Sequence, residues 1–102
     1  MPIAEITIYP IGTGSTSVGD FVANCVKVLD EMGLNYQLTP MGTVFEGSLE
    51  EIWEAVARIH EIPFKMGCKR VVTTLKIDDR RDKPSSMRSK VEGVERRLGK
   101  KL

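Results

Sequence analysis

The chain has 102 residues, of which 41% are hydrophobic and 28% charged, and its formal net charge is +1. This size and balance predict one soluble globular domain over residues 1–102, and no apolar run approaches the roughly 20 residues of a membrane-spanning helix. The N-terminus lacks the basic flank and apolar block of a secretory signal, and Cys25 and Cys68 stand far apart without a paired spacing. We therefore expect a cytoplasmic protein with two reduced thiols and no membrane partner.

The first predicted elements are a strand and a helix joined by a small-residue loop. Residues 3–9 alternate between apolar and polar side chains, which is typical of a strand with one buried face. After Pro10 comes the loop IGTGSTS, in which Ser17 and Asp20 have the spacing of a capping box. An amphipathic helix follows, and Gly33 predicts its end.

A hairpin and a second helix come next. We expect strands at 34–41 and 43–46, with the turn at Pro40-Met41-Gly42. Ser48 and Glu51 have the spacing of a capping box and predict the start of the second helix, whose apolar stripe is Leu49, Ile52, Trp53, Val56 and Ile59.

The last elements are a strand and a basic helix. Pro63 is expected to end or kink the second helix, because proline has no N–H to donate and clashes with the preceding turn. A strand rich in β-branched residues follows at 69–77. Ser85 or Ser86 can cap a final helix, whose stripe is Met87, Val91, Val94 and Leu98.

The element order β-α-β-β-α-β plus a C-terminal helix predicts an α+β, ferredoxin-like sandwich, with a four-stranded antiparallel sheet covered by two helices on one face. The parity of the strands predicts which residues lie on the other face. That face is polar but weakly charged, and suits packing against a like sheet or lining a pocket: Glu5, Thr7, Tyr9, Asn35, Gln37, Thr39, Val72, Thr74 and Lys76.

Charge is distributed unevenly along the chain. Residues 1–75 hold 5 basic and 9 acidic side chains, whereas residues 76–102 hold 10 basic and 5 acidic ones. Such a basic segment fits either nucleic acid or the acidic body of the same or a neighbouring subunit, and we favour the second. The strand at 69–77 carries no aromatic residue, which argues against RNA binding through stacked bases.

Other motifs point to structure more than to chemistry. The GTGSTS loop lacks the pattern of a phosphate-binding or dinucleotide-binding motif, so a turn is its simplest interpretation, although Ser17 could still reach a ligand. In IDDRRDKP the arginines already offset the three aspartates, which favours ion pairs over a metal site. His60 has no ligand set around it and is expected on a helix surface. No nucleophile with a base is evident, and we predict no enzymatic activity and no cofactor.

Three stretches resemble the thiamine-binding protein family: IYPIGTGSTSVGDFV, YQLTPMGTVFEG and KRVVTTLKIDDRRDKP. The resemblance runs over almost the whole chain. It implies a ferredoxin-like fold, a homo-oligomer that is usually a tetramer built by joining sheets, and binding of thiamine or its pyrimidine part without catalysis.

A thiamine-like ligand would need hydrogen-bonding groups and a flat wall for its aminopyrimidine, and an anionic or aromatic partner for its thiazolium cation. Under this resemblance, the candidate ligand residues are Glu46, Thr43, Thr39 and Ser17, with Tyr9 and Phe45 as wall residues. For Glu46 a second interpretation stays open, namely a solvated residue near a helix N-terminus, where negative charge is favourable.

The predicted function is therefore non-enzymatic binding of thiamine or a related hydroxymethylpyrimidine by a cytoplasmic homotetramer. The alternative is a structural or regulatory assembly module whose polar sheet face serves only oligomerisation. Nucleic acid is the third and least favoured partner.

Overall fold

A computed structural model describes all residues from Met1 to Leu102. The helices and strands follow in the order β1 (Ile3–Ile11), α1 (Gly19–Glu31), β2 (Asn35–Thr39), β3 (Gly42–Glu46), α2 (Leu49–Lys65), β4 (Arg70–Asp78) and α3 (Met87–Leu98). The four strands form one antiparallel sheet in the order β2-β3-β1-β4. This confirms the predicted ferredoxin-like architecture with an additional C-terminal helix. None of the helices combines the length and apolarity needed to cross a bilayer.

The core lies between one face of the sheet and helices α1 and α2. The alternation of β1 buries Ala4 and Ile6 on that face, and the same parity buries Phe45 on β3, which is 0% exposed. Helix α1 contributes Cys25, Val28 and Leu29, and helix α2 contributes Ile52, Ala55 and Ile59. Trp53, predicted on the buried stripe of α2, is instead 55% exposed, because Ile52, Ala55 and Ile59 already fill the face that meets the sheet.

Helix ends follow local sequence closely, with one exception. Ser48 and Glu51 exchange the two hydrogen bonds of a capping box at 3.1 and 2.9 Å. At the end of α1, the N–H of Gly33 bonds Asp30 and the N–H of Leu34 bonds Leu29, which is a Schellman motif with Gly33 at a φ of +68°. The exception is Ser17, which does not cap α1.

Neither Pro10 nor Pro63 ends its element: β1 runs past the position where a loop was predicted, and of the two outcomes predicted at Pro63, an end or a kink, the end does not occur. Pro10 lies inside β1 opposite Val71, and it is tolerated because β1 has only one neighbouring strand at that point. Helix α2 continues through Pro63 to Lys65, and the proline ring is fully buried in the core. The helix tolerates this proline because burial of its apolar ring compensates for the backbone hydrogen bond that proline cannot donate.

A thiol replaces the hydrogen bond that Pro63 cannot make. The carbonyl of Ile59 would accept the N–H of the residue four positions later, which is Pro63. Instead, the Cys25 thiol of α1 donates to this carbonyl, with Sγ 3.8 Å from the oxygen. Burial raises the pKa of Cys25 to about 11, so the thiol keeps the proton that this contact needs. Cys25 therefore supports both the packing of α1 on α2 and the backbone of α2.

Helix α3 stands apart from this core. Ser86 caps it, as predicted, by accepting the N–H of Ser89. Its apolar stripe is largely uncovered, since Val91, Val94 and Leu98 are between 46% and 57% exposed. The radius of gyration is 15.1 Å, against about 13 Å for a compact domain of this length.

Candidate functional site

The strands of unequal length leave a notch in the sheet. β1 has nine residues and pairs with β4 along its whole length, but it pairs with β3 only through residues 3–6. Residues 7–10 therefore have no neighbouring strand on the side of the β2–β3 hairpin, and no backbone bond outside the helices and strands involves them. Backbone N–H and C=O groups on such a free edge are ready to bind another extended or planar group.

The notch opens into a cleft of about 540 Å³, which we term the α1 cleft. It lies between the second half of β1, the first turns of α1 and the tip of the hairpin. Its walls are mainly apolar, and its lining residues are Ile6, Thr7, Ile8, Tyr9, Val18, Gly19, Val22, Ala23, Cys25, Leu38, Thr39, Pro40, Met41, Gly42 and Ile59. A cleft of this volume, with apolar walls and a few polar groups, is typical of a small-molecule site.

The lining of the α1 cleft is mainly apolar and carries no charged side chain. It includes hydroxyl groups, one thiol and backbone groups. The thiol belongs to Cys25, whose burial raises its pKa to about 11, so it is neutral and a poor nucleophile near neutral pH. The lining therefore offers hydrogen bonds and apolar contact, and its titratable side chains are the Tyr9 phenol and the Cys25 thiol.

Two of the predicted ligand residues line the α1 cleft. The Tyr9 ring is 49% exposed on the open face and forms part of the wall. Thr39 is at the end of β2, where its hydroxyl accepts the N–H groups of Met41 and Gly42 and donates to the Gly42 carbonyl at 2.8 Å. Because these bonds hold the hairpin turn, Thr39 contributes to the cleft mainly by fixing its rim.

Ser17 does not line the α1 cleft, although the next residue, Val18, does. Helix α1 begins at Gly19 with Val18 as its N-cap, and no side chain caps it. The predicted Ser17–Asp20 capping box is therefore wrong. The Ser17 N–H instead donates to the Ser15 hydroxyl at 3.0 Å, which turns the loop before the helix and leaves the Ser17 side chain exposed.

Thr43 and Phe45 lie on the helix-covered face of the sheet. Their partners on β1 are Ile6 and Ala4, which are both buried, and Thr43 itself is only 7% exposed. The Phe45 ring is fully enclosed in the core, so it does not form the wall of an open site in this structure. Strand parity explains the placement, because Glu46 and Val44 occupy the opposite face.

Glu46 lies at the far end of β3, away from the α1 cleft. One oxygen accepts the Asn35 amide at 2.8 Å, and the other accepts the N–H of Met87 at 2.9 Å. Met87 is the first residue of α3, so the carboxylate meets the positive end of that helix. This geometry matches the second interpretation of Glu46, that of a carboxylate near a helix N-terminus, although the helix is α3 and not α2.

Glu46→Gln is expected to loosen the start of α3, because it removes the negative charge that accepts the Met87 N–H. The local cost should be about 1 kcal/mol, typical of a lost helix-end interaction. Hydrogen exchange of amides 87–90 should accelerate about fivefold, while exchange in α1 and α2 stays unchanged. Glu61→Gln, on the exposed face of α2, is the matched control. Unchanged exchange together with weakened ligand binding would instead identify Glu46 as a ligand residue.

A second cavity lies between α3 and the open face of the sheet. Its volume is about 810 Å³, and the residues around it are mixed in polarity and charge: Ile3, Asn35, Tyr36, Gln37, Thr39, Val44, Met87, Arg88, Lys90, Val91, Glu92, Glu95 and Lys101. The exposed stripe of α3 borders it. This larger and more open space separates a loosely attached helix from the sheet.

The other motifs are structural. Arg81 and Arg80 hydrogen-bond Asp79 and Asp82, and these bonds lower the pKa of both carboxyl groups. The segment thus forms the predicted ion pairs, and no cluster of three or more metal-binding side chains exists in the chain. The expectation of a surface histidine is only partly right, since His60 is half-buried with Nδ1 2.6 Å from the Thr73 hydroxyl.

Sequence reasoning missed the apolar rim of the α1 cleft. Val18, Ala23, Leu38 and Met41 were assigned to no site, although Val18, Leu38 and Met41 are all more than 40% exposed. One sequence signal was present, namely the mismatch between a long first strand and a short hairpin. Locating the notch from it required the register between β1 and β3, which local patterns do not specify.

Comparison with known proteins places these features in a family. A family model described as thiamine-binding protein matches residues 4–95. The Bacillus subtilis protein YqgV is 46% identical over 102 residues, covering 96% of this chain and 98% of its own. A Methanothermobacter thermautotrophicus protein is 44% identical over 99 residues, covering 96% of this chain and 100% of its own.

Solved structures resemble the chain over a similar extent. A hypothetical protein of Methanocaldococcus jannaschii superposes with a TM-score of 0.84 at 35% identity, covering 91% of this chain and 94% of that one. A Thermotoga maritima protein, named as a candidate for thiamine biosynthesis or salvage, has a TM-score of 0.76 at 22% identity, covering 91% and 97%. The second likeness is one of fold alone.

Proposed function

Because this chain belongs to the thiamine-binding protein family, we propose that it binds thiamine or a related hydroxymethylpyrimidine without transforming it, and that the α1 cleft is the binding site. The observation that carries this proposal is the notch beside β1. There, a free strand edge with unpaired backbone groups meets an uncharged cleft of about 540 Å³.

The aminopyrimidine suits this geometry for a chemical reason. It is a flat heteroaromatic ring whose edge carries both donors and acceptors, and a free strand edge presents backbone N–H and C=O groups. Apolar side chains of α1 and of the hairpin tip would cover the faces of the ring, and the Tyr9 ring could meet the thiazolium cation. Thr39 and Ser17 would border the ligand at the hairpin and at the start of α1. Thr43 and Phe45 would support the site from the core.

Ala23→Trp is the sharpest test of this assignment. Ala23 is an exposed residue of α1 that lines the cleft, so an indole at this position would occupy ligand space while costing the fold little. Titration calorimetry with thiamine and with hydroxymethylpyrimidine should show affinity at least tenfold below that of the unmodified protein, with a melting temperature changed by no more than about 3 °C.

Ala57→Trp provides the matched control, because Ala57 is an exposed alanine of α2 that lines neither the α1 cleft nor the cavity under α3. It should bind like the unmodified protein. Full affinity in Ala23→Trp would place the ligand elsewhere, and reduced affinity in Glu46→Gln would then favour the cavity under α3. If the unmodified protein itself binds neither ligand, the assembly-module function replaces this proposal.

We further propose that the chain self-associates, as a homotetramer, through the open face of its sheet and through α3. Two observations support this. Tyr9 and Val72 are neighbours on the open face and are 49% and 44% exposed, and the stripe of α3 has no partner within its own chain. Uncovered apolar surface of this kind marks an interface. Light scattering that returned a monomer at all concentrations would contradict it.

A further inference from the structure

The charge pattern around the α1 cleft bears on which chemical form of ligand it accepts. None of its 15 lining residues is charged. Three charged residues directly adjoin lining residues along the chain. Arg58 pairs with Glu31 and Glu5 pairs with Lys76, whereas Asp20, which follows Gly19 in the first turn of α1, forms no ion pair. The lining of the cleft is therefore uncharged, and the unpaired charge next to it in the chain is the Asp20 carboxylate.

A phosphate ester would meet this site at a disadvantage. A phosphate monoester carries about 1.5 to 2 negative charges at neutral pH and is usually held by Arg, Lys or several backbone N–H groups. Moving it into a cleft without a cation would cost desolvation that no ion pair offsets. The first turn of α1 offers N–H groups, but the Asp20 carboxylate lies in the same turn and would repel the ester.

An alcohol avoids this cost. A hydroxymethyl group can donate to a backbone carbonyl or accept from a backbone N–H on the free edge of β1, and it brings no charge into the cleft. A thiazolium cation is likewise compatible, since Asp20 would attract it.

We infer that the α1 cleft selects the unphosphorylated alcohol and rejects its phosphate ester. This inference rests on the proposed function, since it concerns the same cleft. The chain would then carry the unphosphorylated alcohol, which is the substrate of the phosphoryl-transfer reaction that makes the ester.

The sharpest pair of probes is hydroxymethylpyrimidine and its monophosphate, because a single methylene separates the phosphate from the ring and so keeps the charge close to the bound pyrimidine. Thiamine and thiamine monophosphate form the second pair, in which the phosphate is farther from the pyrimidine. Calorimetry at fixed ionic strength should show that hydroxymethylpyrimidine monophosphate binds at least tenfold more weakly than hydroxymethylpyrimidine. The same ratio of dissociation constants, ester over alcohol, should be smaller for thiamine monophosphate and thiamine.

Two variants test the cause of this ratio. Ala23→Lys would place a cation at the rim of the cleft and should lower the ratio of the first pair about tenfold, whereas Ala57→Lys should leave it unchanged. Asp20→Asn should lower the ratio of the two dissociation constants, ester over alcohol, a few-fold by removing the repelling charge.

A phosphate ester that binds the unmodified protein as tightly as its alcohol, or more tightly, would overturn the inference while leaving the proposed function standing. Failure of all four compounds to bind would overturn both.

Discussion

Replacing Phe45 with alanine is expected to lower the free energy of unfolding by about 3–5 kcal/mol, as for other buried phenylalanines. The ring is 0% exposed and belongs to the core cluster between the sheet and both covering helices. Its loss removes apolar contacts and leaves a cavity that the neighbouring side chains cannot close. Since domains of this size are stable by about 5–15 kcal/mol, the variant should unfold at much lower urea concentration.

Phe45→Leu separates a core role from a ligand role. Leucine keeps most of the apolar volume, so the cost should fall to about 1 kcal/mol, and ligand affinity should stay within about twofold of the unmodified value. A stable Phe45→Leu protein that no longer binds thiamine or hydroxymethylpyrimidine would restore Phe45 as part of the ligand wall.

Stability should fall by about 2 kcal/mol between pH 9 and pH 11 because of Cys25. Burial raises the pKa of this thiol from 9.0 to about 11. Between these values the unfolded chain loses the thiol proton while the folded chain keeps it, so the unfolded state is favoured as the pH rises. Below pH 9 both states are protonated, and the contribution is complete.

Urea unfolding at pH 8 and at pH 11 measures this loss, with Cys25→Ala as the control for titration of lysines and tyrosines. The variant lacks the thiol and should show a shallower decline, although it is less stable at pH 8 because it also loses the bond to the Ile59 carbonyl. Parallel declines in both proteins would mean that Cys25 does not titrate as its burial predicts.

Glu46 and the hairpin show where prediction from sequence stopped. The carboxylate was predicted as a ligand residue, with a place near the start of the second helix as the alternative, whereas the helix that it meets begins 41 positions later in the chain. Tyr9, Thr39 and Ser17 were found as ligand candidates through the family resemblance. The structure groups Tyr9 and Thr39 in the α1 cleft, whereas Ser17 does not line it and Glu46 lies elsewhere.

The sequence by itself determined the features that depend on neighbours along the chain. The capping boxes at Ser48 and Ser86, the glycine that ends α1 and the alternation that buries one face of β1 are all local, and they sufficed for the ferredoxin-like order of elements. Only the tertiary structure decided the register that leaves residues 7–10 unpaired by β3, and the contact of the Cys25 thiol with the Ile59 carbonyl that Pro63 leaves free. Both depend on contacts between segments far apart in sequence, and such contacts are selected by packing of the whole core, which no local pattern contains.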